Sequence, residues 1–530
     1  MNSIVVNRDI LHSRKFVSRF ILFSFVIELL SLMVTPAAAQ NRNAVLHYSV
    51  SMPQPNSHLF HVELSCTGWD NDTVRFKMPK WMPGYYQLMD YSKYVKNFSV
   101  RDSRPVSRIN DNTYEIVVQK GKPFSLAYDV VAERKFVANP YIDSSHAYIV
   151  PAGLFFYIDG HINTPVSVKI VRNGIWKDIA TGLQPTPGKA DEFTAPDFDI
   201  LYDSPFLIGN LEELPSFKVN GARHRFIGFQ MGEFDSKAFM DDLARMVKAT
   251  VDIIGDVPFN EYTFLAIGPG QGGIEHLNST TVSFNGKGLN NDKGRQRMLS
   301  FLAHEYFHHY NVKRIRPFEL GPFNYDDENK TNLLWVNEGL TVYYEHLILK
   351  RAGLTDEQTL LNNFASHISV VENNPGRHYQ SLAQASFETW SDGPFGKQGK
   401  DADKSISYYV KGPVVGLILD FAIRQASQNK RSLDDVFRFL YQAYYKDRKR
   451  GFTDAEFQDA CEKIAGMPLT AVFEYVYTTK DLDYKTFLAY AGLTLKEETD
   501  SKTGKKKISV VRDENISPGQ LEMLKGWLGE

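Results

Sequence analysis

The hydrophobic period of this 530-residue chain changes once, near residue 234. Before this point, short segments alternate apolar with polar residues, and clusters of Pro, Gly, Asn and Asp separate them. After it, apolar residues recur at helical spacing, interrupted by one short strand that begins at Tyr262. We therefore predict an α+β multidomain fold, in which an N-terminal β-sandwich-like domain over 40–225 precedes a mainly helical domain over 226–490.

The first 39 residues have the features of a secretory signal peptide. Basic residues precede an apolar run from Phe20 to Val34, and Ala37-Ala38-Ala39 offers a small-residue cleavage site. The alternative is an uncleaved anchor helix, for which the apolar run is short. We expect an exported protein, periplasmic or secreted, with no stable membrane span in the mature chain.

The charge and the cysteines narrow the class of protein. A formal net charge of −2 argues against a nucleic-acid binder, which would carry an excess of basic residues. The two cysteines, Cys66 and Cys461, lie far apart and follow no metal-binding spacing. They are either buried as small apolar residues or joined in a single disulfide.

A helix predicted over 295–311 contains His304-Glu305-Tyr306-Phe307-His308. Residues four apart share one helical face, so both imidazoles can bind one ion. Glu305 lies about 100° around the helix from His304, where it can take a proton from a water molecule without being a ligand. The alternative is a helix whose histidines are hydrogen-bonded or exposed.

A tetrahedral catalytic zinc needs a third protein ligand and one open position. The next predicted helix, over 332–353, carries Glu338 among apolar residues and Glu345 seven residues later on the same face. Buried carboxylates are costly unless they are paired or bound to a cation. This pattern predicts Glu338 as the third ligand and Glu345 as a partner that orients an imidazole. An ordinary salt bridge on a half-exposed helix is the alternative.

These motifs resemble those of the gluzincin metallopeptidases. The two histidines, followed by Asn337-Glu338-Gly339-x-Thr341-x-Tyr343-x-Glu345, are similar to the signature of the aminopeptidase family that includes leukotriene A4 hydrolase. The chain resembles the glycyl aminopeptidase family more closely, through Asn311-Val-Lys-Arg-Ile-Arg-Pro317 and Trp81-Met-Pro-Gly-Tyr85. The resemblance implies a thermolysin-like zinc-peptidase domain, one Zn²⁺ per chain, and peptide substrates with small N-terminal residues.

The resemblance also bears on the identity of the third ligand. Asp327 stands nineteen residues after His308, where the commonest gluzincins carry that ligand, and Glu338 stands thirty residues after it. The match of the Asn-Glu-Gly segment, and a longer insert in the glycyl family, favour Glu338. Asp327 remains the alternative.

Two further site assignments are implied by the resemblance. Gly272-Gly273-Ile274-Glu275 is similar to the exopeptidase motif whose Glu binds the free amino group of the substrate. The residues alone, without the family resemblance, favour a glycine-rich turn that contains an acidic residue. Tyr409 opens an apolar helix, as the catalytic Tyr does in related enzymes, and its hydroxyl would donate to the oxyanion. Tyr408 is the alternative donor.

The C-terminal end departs from the family pattern. Fuller members of the glycyl family end in a PDZ domain, and only about forty residues follow Leu493 here. We therefore expect 491–530 to be a C-terminal tail with a terminal helix and no complete PDZ domain.

The predicted function is hydrolysis of the N-terminal residue of peptides by a zinc aminopeptidase. A zinc endopeptidase that uses the same site is the first alternative. A catalytically silent peptide-binding protein is the second, and the full set of ligands, base and tyrosine argues against it.

Overall fold

The computed structural model describes residues 44–101 and 104–530, so the predicted signal peptide lies outside the described residues. Strands dominate the described chain up to Gly228, and helices dominate from Ser236 onward. The predicted order of a sheet-rich N-terminal domain followed by a helical region is therefore confirmed.

The described residues of the N-terminal domain form three sheets. In the longer strands every second side chain is buried, as in Phe124–Val131, so one face of the sheet lies in the core. The seven-stranded sheet runs, in spatial order, Gln184–Pro185, Glu192–Ala195, Val166–Val171, Val45–Ser51, Leu59–Thr67, Phe124–Val131 and Val95–Val100. The two four-stranded sheets run Tyr157–Ile158, Thr73–Lys77, Thr113–Val117, Val106–Arg108, and Asp178–Thr181, Phe206–Gly209, His146–Ile149, Tyr141–Ile142.

A mixed sheet introduces the helical region. Its strands are Glu212–Glu213, Phe217–Val219, Ala222–Gly228, Glu261–Ala266, Gly273–Glu275 and Ser279–Val282. Gly273–Glu275 is an edge strand, antiparallel to Ser279–Val282. The strand that the sequence predicts at Tyr262 is present as Glu261–Ala266, whereas the sequence did not predict Gly273–Glu275 or Ser279–Val282. Ser279–Val282 is buried at every position, so it shows no alternation, and Gly273–Glu275 is too short and glycine-rich to show any.

The helices pack around one largely buried member, Tyr408–Ala426. In the described residues, one helical stretch, Gly399–Ala426, is apolar and long enough to cross a membrane, but 89% of its apolar window is buried inside the protein. The α-helices in residues 44–101 and 104–530 are Phe198–Tyr202, Ser236–Ile254, Asp292–Phe307, Leu340–Arg351, Glu357–Asn373, Leu382–Phe387, Thr389–Asp392, Tyr408–Ala426, Leu433–Leu440, Asp454–Ala465, Thr470–Tyr477, Tyr484–Tyr490 and Pro518–Leu528.

The C-terminal residues pack against the helical region. They form a hairpin of Leu493–Thr499 and Lys506–Arg512, followed by the predicted terminal helix, Pro518–Leu528. Trp527 is fully buried, and its Nε1 donates to the hydroxyl of Tyr343 at 3.0 Å. The last forty residues therefore contribute to the core of the helical region.

Both cysteines are buried and free. Cys66 lies in the core of the N-terminal domain, and Cys461 lies in the separate core of the helical region. The alternative of a disulfide between them is therefore wrong.

Candidate metal centre

The histidine helix, Asp292–Phe307, begins at Asn291, whose side chain accepts a hydrogen bond from the backbone of Gly294 at 2.8 Å. The predicted continuation to residue 311 is wrong. The helix ends at Phe307, because beyond it the backbone N–H groups of His309 and Tyr310 bond carbonyls three residues back, at 3.2 and 2.9 Å. The side chain of Asn311 then donates to the backbone oxygen of Val336 at 2.8 Å. His308 still has helical backbone angles, so it stays on the same face as His304.

Hydrogen bonds orient both imidazole rings. The Nδ1 of His304 lies 2.9 Å from Oε2 of Glu345, and the Nδ1 of His308 lies 2.7 Å from the backbone oxygen of Asn311. Each ring therefore directs its Nε2 toward Glu338, whose Oε2 is 3.6 Å from Nε2 of His304 and 3.3 Å from Nε2 of His308.

These separations fit a metal ion. Zn–N and Zn–O bonds of about 2.0–2.1 Å in a tetrahedron place ligand atoms roughly 3.3 Å apart. The donor set of two neutral imidazoles and one carboxylate is that of catalytic zinc sites. In the described part of the chain, these three residues form the single group of at least three His, Cys, Asp or Glu side chains close enough to share an ion. Asp327, the alternative ligand, is exposed and is not part of the group.

Glu338 is presented by an irregular helical turn. In place of one helix over 332–353, the structure has two consecutive helical segments. The first is a π-helical segment, Trp335–Gly339, which carries Glu338, and the second is the α-helix Leu340–Arg351, which carries Glu345. The wider turn is a feature frequent at functional sites, and periodicity does not reveal it. At its end, a Cβ on Gly339 would lie 2.7 Å from Cα of Gly412, so this glycine lets the helix that carries Tyr409 approach closely.

The charges of the centre favour a cation between its ligands. Burial alone would raise the pKa of Glu338, but the two imidazoles outweigh it and hold that pKa well below the usual range. Burial lowers the pKa of His304, yet hydrogen bonds to Glu338 and Glu345 raise it overall, well above its ordinary value. Without a metal ion, positive charge on the rings therefore compensates the buried carboxylates, and a divalent cation bound between neutral rings would supply that charge in its place.

Glu305 lies beside the metal ligands, and its carboxyl group makes no short hydrogen bond to the described residues. Its closest hydrogen-bond donor is the hydroxyl of Thr280, at 3.5 Å from Oε2. Gly273 of the edge strand faces it, and a Cβ there would lie 2.7 Å from the carboxyl carbon. Burial raises the pKa of Glu305 to about 7. A carboxyl group with such a pKa can both accept and return a proton near neutral pH.

Tyr409 and Glu275 complete the predicted set. The Tyr409 hydroxyl donates to Oε2 of Glu338 at 2.8 Å, whereas the hydroxyl of Tyr408 is bound to Thr389 at 2.9 Å. The structure thus places Tyr409, and not Tyr408, against the ligands. Glu275 ends the edge strand and is only 4% exposed. Gly272, with φ of 86°, makes the bend that leads into this strand.

The site includes residues that the sequence did not assign. A Cβ on Gly84 would lie 2.8 Å from Oε2 of Glu275, so the Trp81–Tyr85 turn of the N-terminal domain closes over this carboxylate. Burial, followed by the charges of Glu338 and Glu275, raises the pKa of Tyr86 well above its usual value. The Nζ atom of Lys313 lies 3.7 Å from Oε1 of Glu275. Gly84, Tyr86 and Lys313 all lie in or next to the motifs that resemble the family. Their position in these motifs is the sequence feature that could have indicated a role in the site.

The contact between Glu345 and His304 gives a testable expectation. Replacing Glu345 with Gln should weaken zinc binding by about 10- to 100-fold, because the ring of His304 loses a charged acceptor that orients it. Competition with a coloured chelator measures the change. Glu357→Gln, which alters an exposed ion pair with Arg512, is the control and should bind zinc like the parent protein. Equal zinc affinity in the two variants would contradict this role of Glu345.

Family profiles match both parts of the chain. The Peptidase M61 N-terminal domain matches residues 47–210, and M61 glycyl aminopeptidase matches residues 297–415, a range that contains the two histidines, Glu338 and Tyr409. No curated protein sequence gives a significant match.

Solved structures show the same fold. An aminopeptidase N family protein from Idiomarina loihiensis is similar with a TM-score of 0.81 and 28% identity, over 87% of this chain and 80% of that one. An M1 zinc metallopeptidase from Deinococcus radiodurans has a TM-score of 0.51 and 14% identity, over 83% of this chain and 93% of that one. Yeast LTA4 hydrolase in complex with bestatin has a TM-score of 0.52 and 14% identity, over 87% of this chain and 72% of that one. The last two likenesses concern the fold alone.

Proposed function

The chain belongs to the M61 glycyl aminopeptidase family and is a peptidase, and from this premise we propose that it is a zinc-dependent aminopeptidase that removes small N-terminal residues from peptides. The observation that carries the proposal is the convergence of His304, His308 and Glu338, with ligand atoms all within 4.8 Å of one another. Tyr409 donates to Glu338, and the charges of Glu305 and Glu275 interact with the ligand residues.

Glu305 is proposed to move the proton in the reaction. A zinc ion held by His304, His308 and Glu338 would supply Lewis acidity to a water molecule and to the scissile carbonyl. The carboxylate of Glu305 would accept the proton that the attacking water loses, and would return it to the departing amine. Its burial and its raised pKa, about 7, support this role.

Tyr409 is proposed to stabilise the negative charge that develops on the carbonyl oxygen. Burial, together with the charge of Glu338, raises the pKa of Tyr409 well above its usual value, so its hydroxyl stays a hydrogen-bond donor at neutral pH. A small rotation from Glu338 would direct this donor toward the oxyanion.

Glu275 supports an exopeptidase over an endopeptidase. The Oε1 atom of this buried carboxylate has no hydrogen-bond partner among the described residues. A buried acceptor without a partner is costly, and an α-ammonium group would satisfy it with a charge-assisted bond. A carboxylate at a set distance from the metal ligands would also fix the cleavage point one residue from the N-terminus.

A comparison of free and blocked peptides tests the proposal. An alanine- or glycine-initiated peptide should be cleaved after its first residue, and its N-acetylated form should lose about two orders of magnitude in kcat/KM, since Glu275 gains no ammonium partner. In the Glu275→Gln variant, the difference in kcat/KM between the free and the N-acetylated peptide should largely disappear. Equal turnover of the two peptides by the parent protein would instead indicate an endopeptidase.

Export to the periplasm or the cell exterior is a further proposal. It is supported by the basic segment, apolar run and Ala37-Ala38-Ala39 of the N-terminal 39 residues. Removal of these residues from the secreted protein, seen by N-terminal sequencing, would test it.

A further inference from the structure

A buried ion network lies next to Glu275. The Lys313 side chain is only 7% exposed, and its Nζ lies 2.8 Å from Oδ1 of Asp203 and 3.7 Å from Oε1 of Glu275. A buried lysine is costly unless it is paired, so its two acidic neighbours explain its presence. The ammonium group therefore sits between one carboxylate that it binds and another that it only approaches.

Asp203 anchors this network in the N-terminal domain. It follows the short helix Phe198–Tyr202, and its Oδ2 accepts a hydrogen bond from the backbone of Leu277 at 2.6 Å. Its Oδ1 also lies 3.2 Å from Nδ1 of His276. One side chain thus holds both the lysine and the two residues that follow Glu275 along the chain.

The two distances from Lys313 give its contacts different roles. A separation of 2.8 Å is a charge-assisted hydrogen bond, whereas 3.7 Å is too long for one. Asp203 therefore keeps the ammonium at a distance from Glu275 at which the charges attract but the lone pairs of Oε1 stay free. A substrate amine could bind those lone pairs without first displacing the lysine.

Lys313 also balances charge in a crowded group of acids. The carboxylates of Asp203 and Glu275 are both buried or nearly so, and Glu305 and Glu338 lie close by. Burial lowers the pKa of Lys313, but Asp203 and Glu275 outweigh it and raise that pKa above its usual value. Without this cation, Glu275 would be a buried charge with no partner, which is strongly unfavourable.

We propose that Lys313 is a positioning residue for the amino-terminal subsite: its ammonium group, anchored by Asp203, holds the charged carboxylate of Glu275 in place to receive the substrate's α-amine. The inference rests on the proposed aminopeptidase function. It assigns the ion network of Lys313, Asp203 and Glu275, which spans both parts of the chain, to substrate binding and not to stability alone.

Lys313→Met tests the proposal through substrate binding. For a free-amine peptide, KM should rise by about 10- to 100-fold with a smaller change in kcat, because the variant loses an interaction made before the chemical step. Turnover of the N-acetylated peptide should stay close to that of the parent protein. Lys313→Arg, which keeps the cation, should recover most of the lost affinity.

Lys77→Met is the matched control. Lys77 is also a mostly buried lysine of one part of the chain that pairs with an aspartate of the other, Asp326, at 2.5 Å. Its loss breaks a comparable ion pair away from Glu275, so KM should not change. Zinc content and melting temperature, measured for both variants, separate a folding defect from a binding defect.

A double variant decides whether Lys313 acts through Glu275. In a Glu275→Gln background, Lys313→Met should cause no further rise in KM, since the charge that it positions is already gone. A further tenfold rise there, or a single Lys313→Met variant with unchanged KM, would overturn the inference.

If Lys313→Met does not fold, Asp203→Asn combined with Lys313→Met removes the cation together with its anchor, and the same KM criteria apply. A parent protein that does not distinguish free from blocked peptides would overturn the aminopeptidase proposal itself.

Discussion

Glu305→Gln is expected to lower kcat/KM by about 10²- to 10⁴-fold, the range in which a positioned general base contributes. The amide has nearly the shape of the carboxylate, but it cannot accept a proton from water at neutral pH. Gly273 lies close against this carboxyl group, since a Cβ there would be 2.7 Å from its carbon, so the near-isosteric amide is the substitution that disturbs the contact least. Steady-state hydrolysis of an alanine-initiated peptide measures the loss, and metal analysis should show that zinc remains bound.

The matched control for this variant is Glu345→Gln, assayed at saturating zinc. It also replaces a half-buried carboxylate of the centre with an amide, but its contact is with the far side of the His304 ring. It should retain most of its turnover once the metal site is filled. A Glu305→Gln protein that binds zinc and keeps full activity would show that Glu305 does not carry the proton.

Glu338→Ala is expected to abolish tight zinc binding, and peptidase activity with it. The substitution removes one of three ligand side chains and leaves Nε2 of both histidines without their shared partner. The loss of affinity should exceed the 10- to 100-fold typical of partners that only orient a ligand. Zinc content after dialysis, measured by mass spectrometry, gives the result directly.

Asp327→Ala is the control, because Asp327 is the alternative ligand by spacing. Its carboxylate is exposed and accepts a hydrogen bond from the backbone of Glu328 at 2.8 Å. This variant should keep one zinc per chain and near-normal turnover. If Asp327→Ala lost zinc and Glu338→Ala kept it, the third zinc ligand would be Asp327 and not Glu338.

Much of the fold could be predicted from periodicity. The change from alternating to helical spacing separates the sheet-rich domain from the helical region, since both periods report which face is buried. The histidine spacing and the buried carboxylates of the next helix likewise predicted the group that the structure brings together: His304, His308, Glu338 and Glu345.

Other features depend on tertiary contacts that no local pattern carries. Just past the end of the histidine helix, the side chain of Asn311 bonds Val336, a residue 25 positions away. The edge strand that presents Glu275 is three residues long, too short for periodicity. The ion pair between Lys313 and Asp203 joins residues 110 positions apart, so only the folded chain reveals it.

Zinc titration of the chelator-stripped protein tests the metal centre most directly. With a free-amine peptide as substrate, activity should be absent from the metal-free protein, rise linearly with added zinc, and saturate at one equivalent per chain. Full activity without metal, or saturation only at two equivalents, would contradict a single zinc held by His304, His308 and Glu338.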